Sequence, residues 1–251
     1  QTRPGSVLAY PKLNLYDFLL EVGPVAKIDE LYFKGRVPMW TQMMEHGTYD
    51  DFWKAMNILP HLKNIRPAVL TVGGWYDAED LYGPLKTYAT IEDNNPGADN
   101  RLVMGPWYHG GWRGQGPERL GDVLVYNASA GRYFQDNVLF PFFMYHLKEE
   151  GAPDPTEAYV YETGTNVWQL YSQWPPENAV GRGLYLHKDS TLSFEEPKDQ
   201  GKDIFHEFPS DPAKPVPHLG TTITRWSYDF MHADQRFAAT RPDVLVYTSP
   251  V

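Results

Sequence analysis

Two short apolar runs, each halted by glycine and each followed by a polar residue, constrain this chain more than any other feature. Ala68-Val69-Leu70-Thr71-Val72 breaks at Gly73-Gly74 and leads to Asp77. Leu102-Val103-Met104 breaks at Gly105-Pro106 and leads to His109, just ahead of Gly110-Gly111. Near-continuous apolar runs of this kind mark strands covered on both faces. Between them, Asp80 to Asp93 carries Leu81, Leu85, Tyr88 and Ile91 at helical spacing, and Asn94-Asn95-Pro96-Gly97 ends the pattern. Strand, helix and strand in succession predict an α/β sheet with a right-handed crossover between parallel neighbours.

The flanks differ from this centre. From Tyr10 to about Leu62 the pattern is helical, with Leu13, Tyr16, Leu19 and Leu20 on one face and Gly23-Pro24 as a stop. Asp29 caps a short segment holding Leu31, Tyr32 and Phe33. A further helix begins near Thr48 or Asp50, carries Phe52, Trp53 and Met56, and ends at Pro60. Residues 63–150 form the α/β zone, closed by a long helix from Ser129 to Lys148. Tyr133, Phe134, Val138, Phe142, Phe143 and Leu147 are its apolar positions, and Pro141 is expected to kink it. Residues 151–251 change character: "AYVYETG", "GLYLHKDSTLSF", "DIFHEF" and "DVLVYTS" are short alternating runs between turn residues, the pattern of an antiparallel sandwich or jelly roll.

Composition narrows the partners. A net charge of −10 argues against nucleic acid or an anionic membrane surface, and no apolar run reaches the length of a membrane span. The absence of cysteine excludes disulfides, thiolate metal sites and cysteine nucleophiles. His46, His61, His146, His187, His206, His218 and His232 make no HxxxH or HxH pair, so neither a metal nor any other cofactor is expected. The 37 aromatic residues (8 Trp, 17 Tyr, 12 Phe) supply core area and material for a pocket.

Functional groups of open α/β sheets collect beyond the carboxyl ends of the strands, and both Asp77 and His109 occupy that position. An Asp bonded to one ring nitrogen of a His fixes the tautomer and stabilises the imidazolium formed when the other nitrogen takes a proton. The simpler alternative is a turn- or helix-capping Asp and a packed His. Hydrolases of the α/β type order their triad Ser, Asp, His, with the serine in Gly-x-Ser-x-Gly. None of the eight serines has that frame. Ser129 in "NASAG" comes nearest, but it follows His109 in the chain and does not follow a buried strand.

"PAVLTVGGWYDAEDLYGPL", "LVMGPWYHGGW", "FPFFMYHLK", "ETGTNVWQLYSQWPP" and "RFAATRPDVLVYTS" together resemble the α-amino-acid ester hydrolases. These belong with X-Pro dipeptidyl peptidases, cocaine-esterase-like hydrolases and glutaryl-7-aminocephalosporanic acid acylases. The likeness runs through nearly the whole chain. It implies Asp77 and His109 as two members of a triad. It also implies three parts: a helical cap segment at 1–62, the later part of an α/β-hydrolase domain at 63–150, and a jelly roll, incomplete, at 151–251. Members are typically more than twice as long, so the nucleophile serine and oxyanion donors are expected before Gln1, and the isolated chain is expected to be inactive.

The resemblance further implies carboxylates that hold a substrate ammonium. Asp50 and Asp51, then Glu45, are the acids proposed from "MMEHGTYDDFW", with helix capping as the plainer role for either aspartate. Trp75, Tyr76, Trp107, Tyr108 and Trp112 flank the pair, with an acyl pocket or simple core packing open to them. The implied activity is hydrolysis or transfer of acyl groups of α-amino-acid esters and amides, with β-lactam antibiotics in view. X-Pro dipeptidyl peptidase activity is the rival within the family. A carbohydrate- or partner-binding sandwich is the non-catalytic alternative. The expected partner is a small amino-acid ester, amide or dipeptide, with a homo-oligomer and export to the periplasm or beyond suggested by the family, and the cytoplasm otherwise.

Overall fold

The computed structural model describes residues 14–114, 119–120, 123–124, 130–198, 201, 204–222 and 229–250. It divides into two compact units: Gln1–Trp53 with Val180–Ser227 and Asp234–Val251, and Lys54–Ala179 with Tyr228–Ala233.

In the first unit, helix α1 (Leu15–Val22) is capped by Asn14, whose side chain accepts the Tyr16 amide at 2.9 Å. Gly23, at φ 69°, ends it. The buried face of α1 is Phe18 and Val22, not the expected Leu19 and Leu20, which are exposed. The choice of face follows the partners: Phe18 and Val22 cluster with Ile28, and Tyr32, Phe33 and Trp40 pack against that group. Leu13 lies outside the described residues. Helix α2 (Pro38–Glu45) follows, and helix α3 (Asp51–Met56) begins in this unit. Asp50 sits at the start of α3 and accepts the Phe52 amide at 3.0 Å.

In the second unit the sheet is built from strands β1 (Val69–Gly74) and β2 (Asn100–Gly105), joined through helix α4 (Tyr82–Asn94). The two strands pair in parallel from Val69↔Asn100 to Gly74↔Gly105. A two-residue antiparallel ladder joins β3 (Arg119–Leu120) and β4 (Val123–Leu124). Helix α5 (Ala130–Phe134) runs through a π-turn at Gln135–Leu139 into helix α6 (Phe140–Lys148). Ser129 lies outside the described residues. Along this run Phe134, Val138 and Phe142 are buried, whereas Phe143 and Leu147, also among its apolar positions, are exposed. Phe134, Val138 and Phe142 follow at intervals of four and share one face, which Phe143 and Leu147 do not extend.

The sheet then takes in strands that the sequence pattern assigns to the sandwich. Strand β5 (Ala158–Glu162) pairs in parallel with β2, and strand β6 (Val167–Tyr171) pairs antiparallel with β5, giving the order β1-β2-β5-β6. "AYVYETG" is therefore part of the α/β sheet. Ala158 through Tyr161 are all buried, so its tyrosines are covered on both faces where alternation would leave one face wet. Val103, Tyr159 and Tyr161 cluster with Phe134 and Val138 on one face. Leu102, Met104, Ala158 and Val160 cluster with Tyr88 of α4 on the other. Burial of this kind, at roughly 25 cal/mol per Å² of apolar surface, is what fixes the strand order.

The expected jelly roll is not formed by the described residues of 180–250. Their β structure is limited to the two-residue strands β7 (Tyr185–Leu186) and β8 (Leu192–Ser193), and a bridge from Thr191 to Thr248. Leu184, Leu186, Phe194, Phe205 and Phe208 are exposed. Alternation can mark one apolar face per strand, but it does not supply the facing sheet that would cover it.

Candidate active site

Both candidate residues sit where the parallel ladder ends. Beyond Gly74 the chain turns, with the Asp77 amide donating to the Gly74 carbonyl at 3.2 Å. The two loops touch closely, since the Trp75 amide donates to the Gly105 carbonyl at 2.9 Å and the Tyr76 amide to the Trp107 carbonyl at 3.1 Å. These contacts bring together side chains 32 residues apart in sequence. His109 Nδ1 lies 2.9 Å from Asp77 Oδ2 and 3.2 Å from Oδ1. An ionised carboxylate can only accept, so the proton on this edge of the ring is on Nδ1.

Asp77 is buried and well solvated by the protein. Its Oδ1 accepts the Glu79 amide at 2.8 Å and the Asp80 amide at 3.0 Å. Burial pushes the carboxyl up, but the Asp80 and Glu79 amides, with the His109 N–H, outweigh burial and hold it below the ordinary value. The aspartate is thus an anion near neutral pH, fixed in orientation. Asp80 serves elsewhere, its Oδ1 accepting the Gly83 amide at the start of α4.

His109 is more open, with its side chain 44% exposed against 2% for Asp77. The difference matters chemically, because a base must be reachable while its orienting partner is best kept dry. Nε2, the nitrogen that Asp77 does not hold, lies 3.7 Å from Glu79 Oε2. The Trp112 ring stands edge-on to the imidazole, with centroids 6.2 Å apart. Pattern reading passes over Glu79, although its position two residues after Asp77, on the same turn, was a usable signal.

The flanking aromatics divide. Trp107 is fully buried and packs against Phe134 and Trp168, at centroid distances of 5.6 and 5.7 Å, so it belongs to the core. Trp75 donates Nε1–H to the Tyr161 carbonyl at 2.9 Å. Tyr76 packs against the core cluster, and Tyr108 is exposed.

The three acids proposed from the helical segment lie in the other unit. Asp50 Oδ2 is 2.6 Å from His46 Nδ1, and that bond is the main cause holding its carboxyl below the ordinary value. The His46 ring stacks on Phe52 at 4.4 Å. Asp51 opens α3 and Glu45 closes α2, both exposed. Among the described residues no group of three His, Asp or Glu side chains is placed to hold a metal ion, and no helix is long and apolar enough to cross a membrane.

A parallel sheet with helices on its faces and an Asp–His pair at its carboxyl edge is the architecture of an α/β protein of the hydrolase type. The sequence pattern of the X-Pro dipeptidyl-peptidase (S15) family matches residues 24–111, a span that holds both residues of the pair. The match and the relatives below make the chain similar to this family and to cocaine-esterase-like hydrolases. It is 28% identical over 244 residues to the cocaine esterase of Rhodococcus sp. (strain MB1 Bresler), covering 90% of this chain and 40% of that protein. The crystal structure of an aminopeptidase from the marine sediment archaeon Thaumarchaeota archaeon superposes with a TM-score of 0.84 at 33% identity, over 100% of this chain and 41% of the other. An α-amino acid ester hydrolase superposes with a TM-score of 0.84 at 31% identity, over 97% of this chain and 42% of the other. The chain thus spans about two fifths of the length of these relatives.

Proposed function

We propose that the whole protein is a serine hydrolase that cleaves or transfers the acyl group of α-amino-acid esters and amides. The observation that carries this reading is the pairing of a buried, oriented Asp77 carboxylate with an accessible His109 imidazole. A serine from outside these 251 residues attacks the acyl carbonyl. His109 takes the serine proton on Nε2 and returns it to the leaving alcohol or amine, while Asp77 holds the Nδ1–H tautomer and balances the imidazolium.

Glu79 is the acid we assign to the substrate ammonium. Its carboxylate stands at the open edge of His109, where an α-amino group would lie next to the reacting carbonyl. Asp50 is a poorer candidate because His46 already engages it. Trp75, Tyr76 and Tyr108 remain the proposed lining for the acyl side chain, and β-lactams bearing an α-amino acyl group are one substrate class to try.

A free amino group also suits an X-Pro dipeptidyl peptidase, the family whose pattern matches 24–111. Turnover of Ala-Pro-anilide against phenylglycine methyl ester by the full-length protein separates the two. The ester is expected to be the better substrate. Preference for the anilide would move the protein to the peptidase class, and loss of neither activity in His109→Ala would overturn the hydrolase mechanism.

A further inference from the structure

The helical run from Ala130 to Lys148 contains one wide turn, and that turn has a definite consequence for His109. The Phe140 amide donates to the Gln135 carbonyl, five residues back, where an α-helix would reach four. Pro141 follows at once and has no N–H for the ordinary ladder, so the wide turn lies where the helix is already interrupted. Gln135, the first residue of this turn, sends its side chain out of the run. Its Nε2 lies 3.4 Å from the Trp112 carbonyl oxygen, 3.2 Å from that of Arg113 and 3.1 Å from that of Gly114. Carbonyls only accept, so the amide nitrogen is the end that faces them.

Those three carbonyls end the loop that begins with His109. Its first part is tied internally: Gly110 takes φ 75°, the Gly111 amide donates to Tyr108 at 2.9 Å, and the Arg113 amide to Gly110 at 3.1 Å. Its second part carries the Trp112 ring, set edge-on to the imidazole and 6.3 Å from Trp107. Where Trp112 sits therefore depends on where the carbonyls of 112–114 are held. A catalytic imidazole tolerates little displacement, because misplacement by about an ångström costs roughly a hundredfold in rate.

We propose that Gln135 is a positioning residue for His109, acting through the backbone of Trp112, Arg113 and Gly114 to fix the Trp112 ring against the imidazole. The assignment of His109 as the base rests on the function proposed above, whereas the mechanical link does not.

The test uses the full-length protein with labelled histidine, and the Nδ1–H signal of His109 is identified by its loss in Asp77→Asn. Gln135→Met keeps the length of the side chain and removes the donors. Its His109 Nδ1–H is expected to exchange with water about tenfold faster, the scale of one lost hydrogen bond. Gln135→Lys, which restores donors to the same carbonyls, is expected to keep the parent rate. If Gln135→Met fails to fold, Gln135→Asn, an amide one methylene too short, is expected to show the same acceleration. An unchanged rate in the folded donor-less or shortened variant overturns the proposal. Equal acceleration in Gln135→Lys also overturns it, because packing alone would then explain the effect. Activity reads the other claim: a parent protein that turns over neither ester nor anilide sinks the hydrolase reading and leaves the exchange comparison intact.

Discussion

Gly74 and Trp107 meet so closely that a Cβ built on the glycine would lie 2.2 Å from the tryptophan carbonyl oxygen. That approach is where the loop carrying Asp77 crosses the loop carrying His109, and the Tyr76 amide bonds to the same oxygen. Gly74→Ala is therefore expected to force backbone apart, destabilising the chain by about 2–3 kcal/mol in urea denaturation. Gly47→Ala, where a Cβ meets nothing within 4 Å, is the control and should cost much less. Equal midpoints for the two variants would show that the crossing is loose.

The Asp77 carboxyl is held below its ordinary value in the folded chain. A lowered folded value makes the group's stabilisation complete above the unfolded carboxyl value, about 3.9. It is lost as pH falls through the folded value. Asp77→Asn should therefore lower the denaturation midpoint most near neutral pH, with the gap to the parent closing as pH falls below the ordinary carboxyl value. A gap independent of pH would mean that packing, not charge, makes the difference.

Leu102 is fully buried on the α4 face of the central strand β2, in the cluster of Tyr88, Met104, Ala158 and Val160. Leu102→Ala should cost about 3 kcal/mol through lost burial and a residual cavity. Calorimetry or urea titration measures it, and a loss under about 1 kcal/mol would indicate that the strand collapses around the hole.

Glu79 faces the open nitrogen of His109 with its carboxylate half exposed. In the full-length protein, Glu79→Gln should raise KM about tenfold for esters with a free α-amino group, a modest figure because water screens the site. N-acetylated esters should be little affected. A parallel loss on both substrates would show that Glu79 serves the imidazole rather than the ammonium.

What could be seen in the sequence was whatever two or three adjacent residues determine. The stops at Gly73-Gly74 and Gly105-Pro106 locate the ends of β1 and β2, and Asp77 and His109 meet because those ends lie side by side. The course of β5 was hidden because Tyr159 and Tyr161 look amphipathic in a linear pattern, and only pairing with β2 shows that both are covered. The buried face of α1 depends on Tyr32 and Trp40, which no local count contains. Glu79 and Gln135 went unseen for a related reason. Each acts through geometry around His109, one across a turn and the other from a helix more than twenty residues later.

The level alignment of β1 and β2, with Gly74 opposite Gly105, has a practical meaning. A slip of one residue would displace one loop along its neighbour by about 3.3 Å and turn every side chain of the strand to the other face. A 2.9 Å contact between Nδ1 and Oδ2 does not survive such a step. The imidazole proton thus works as a gauge of how two distant strands have been zipped together. Observing it in a spectrum would certify the alignment of the whole ladder from a single resonance.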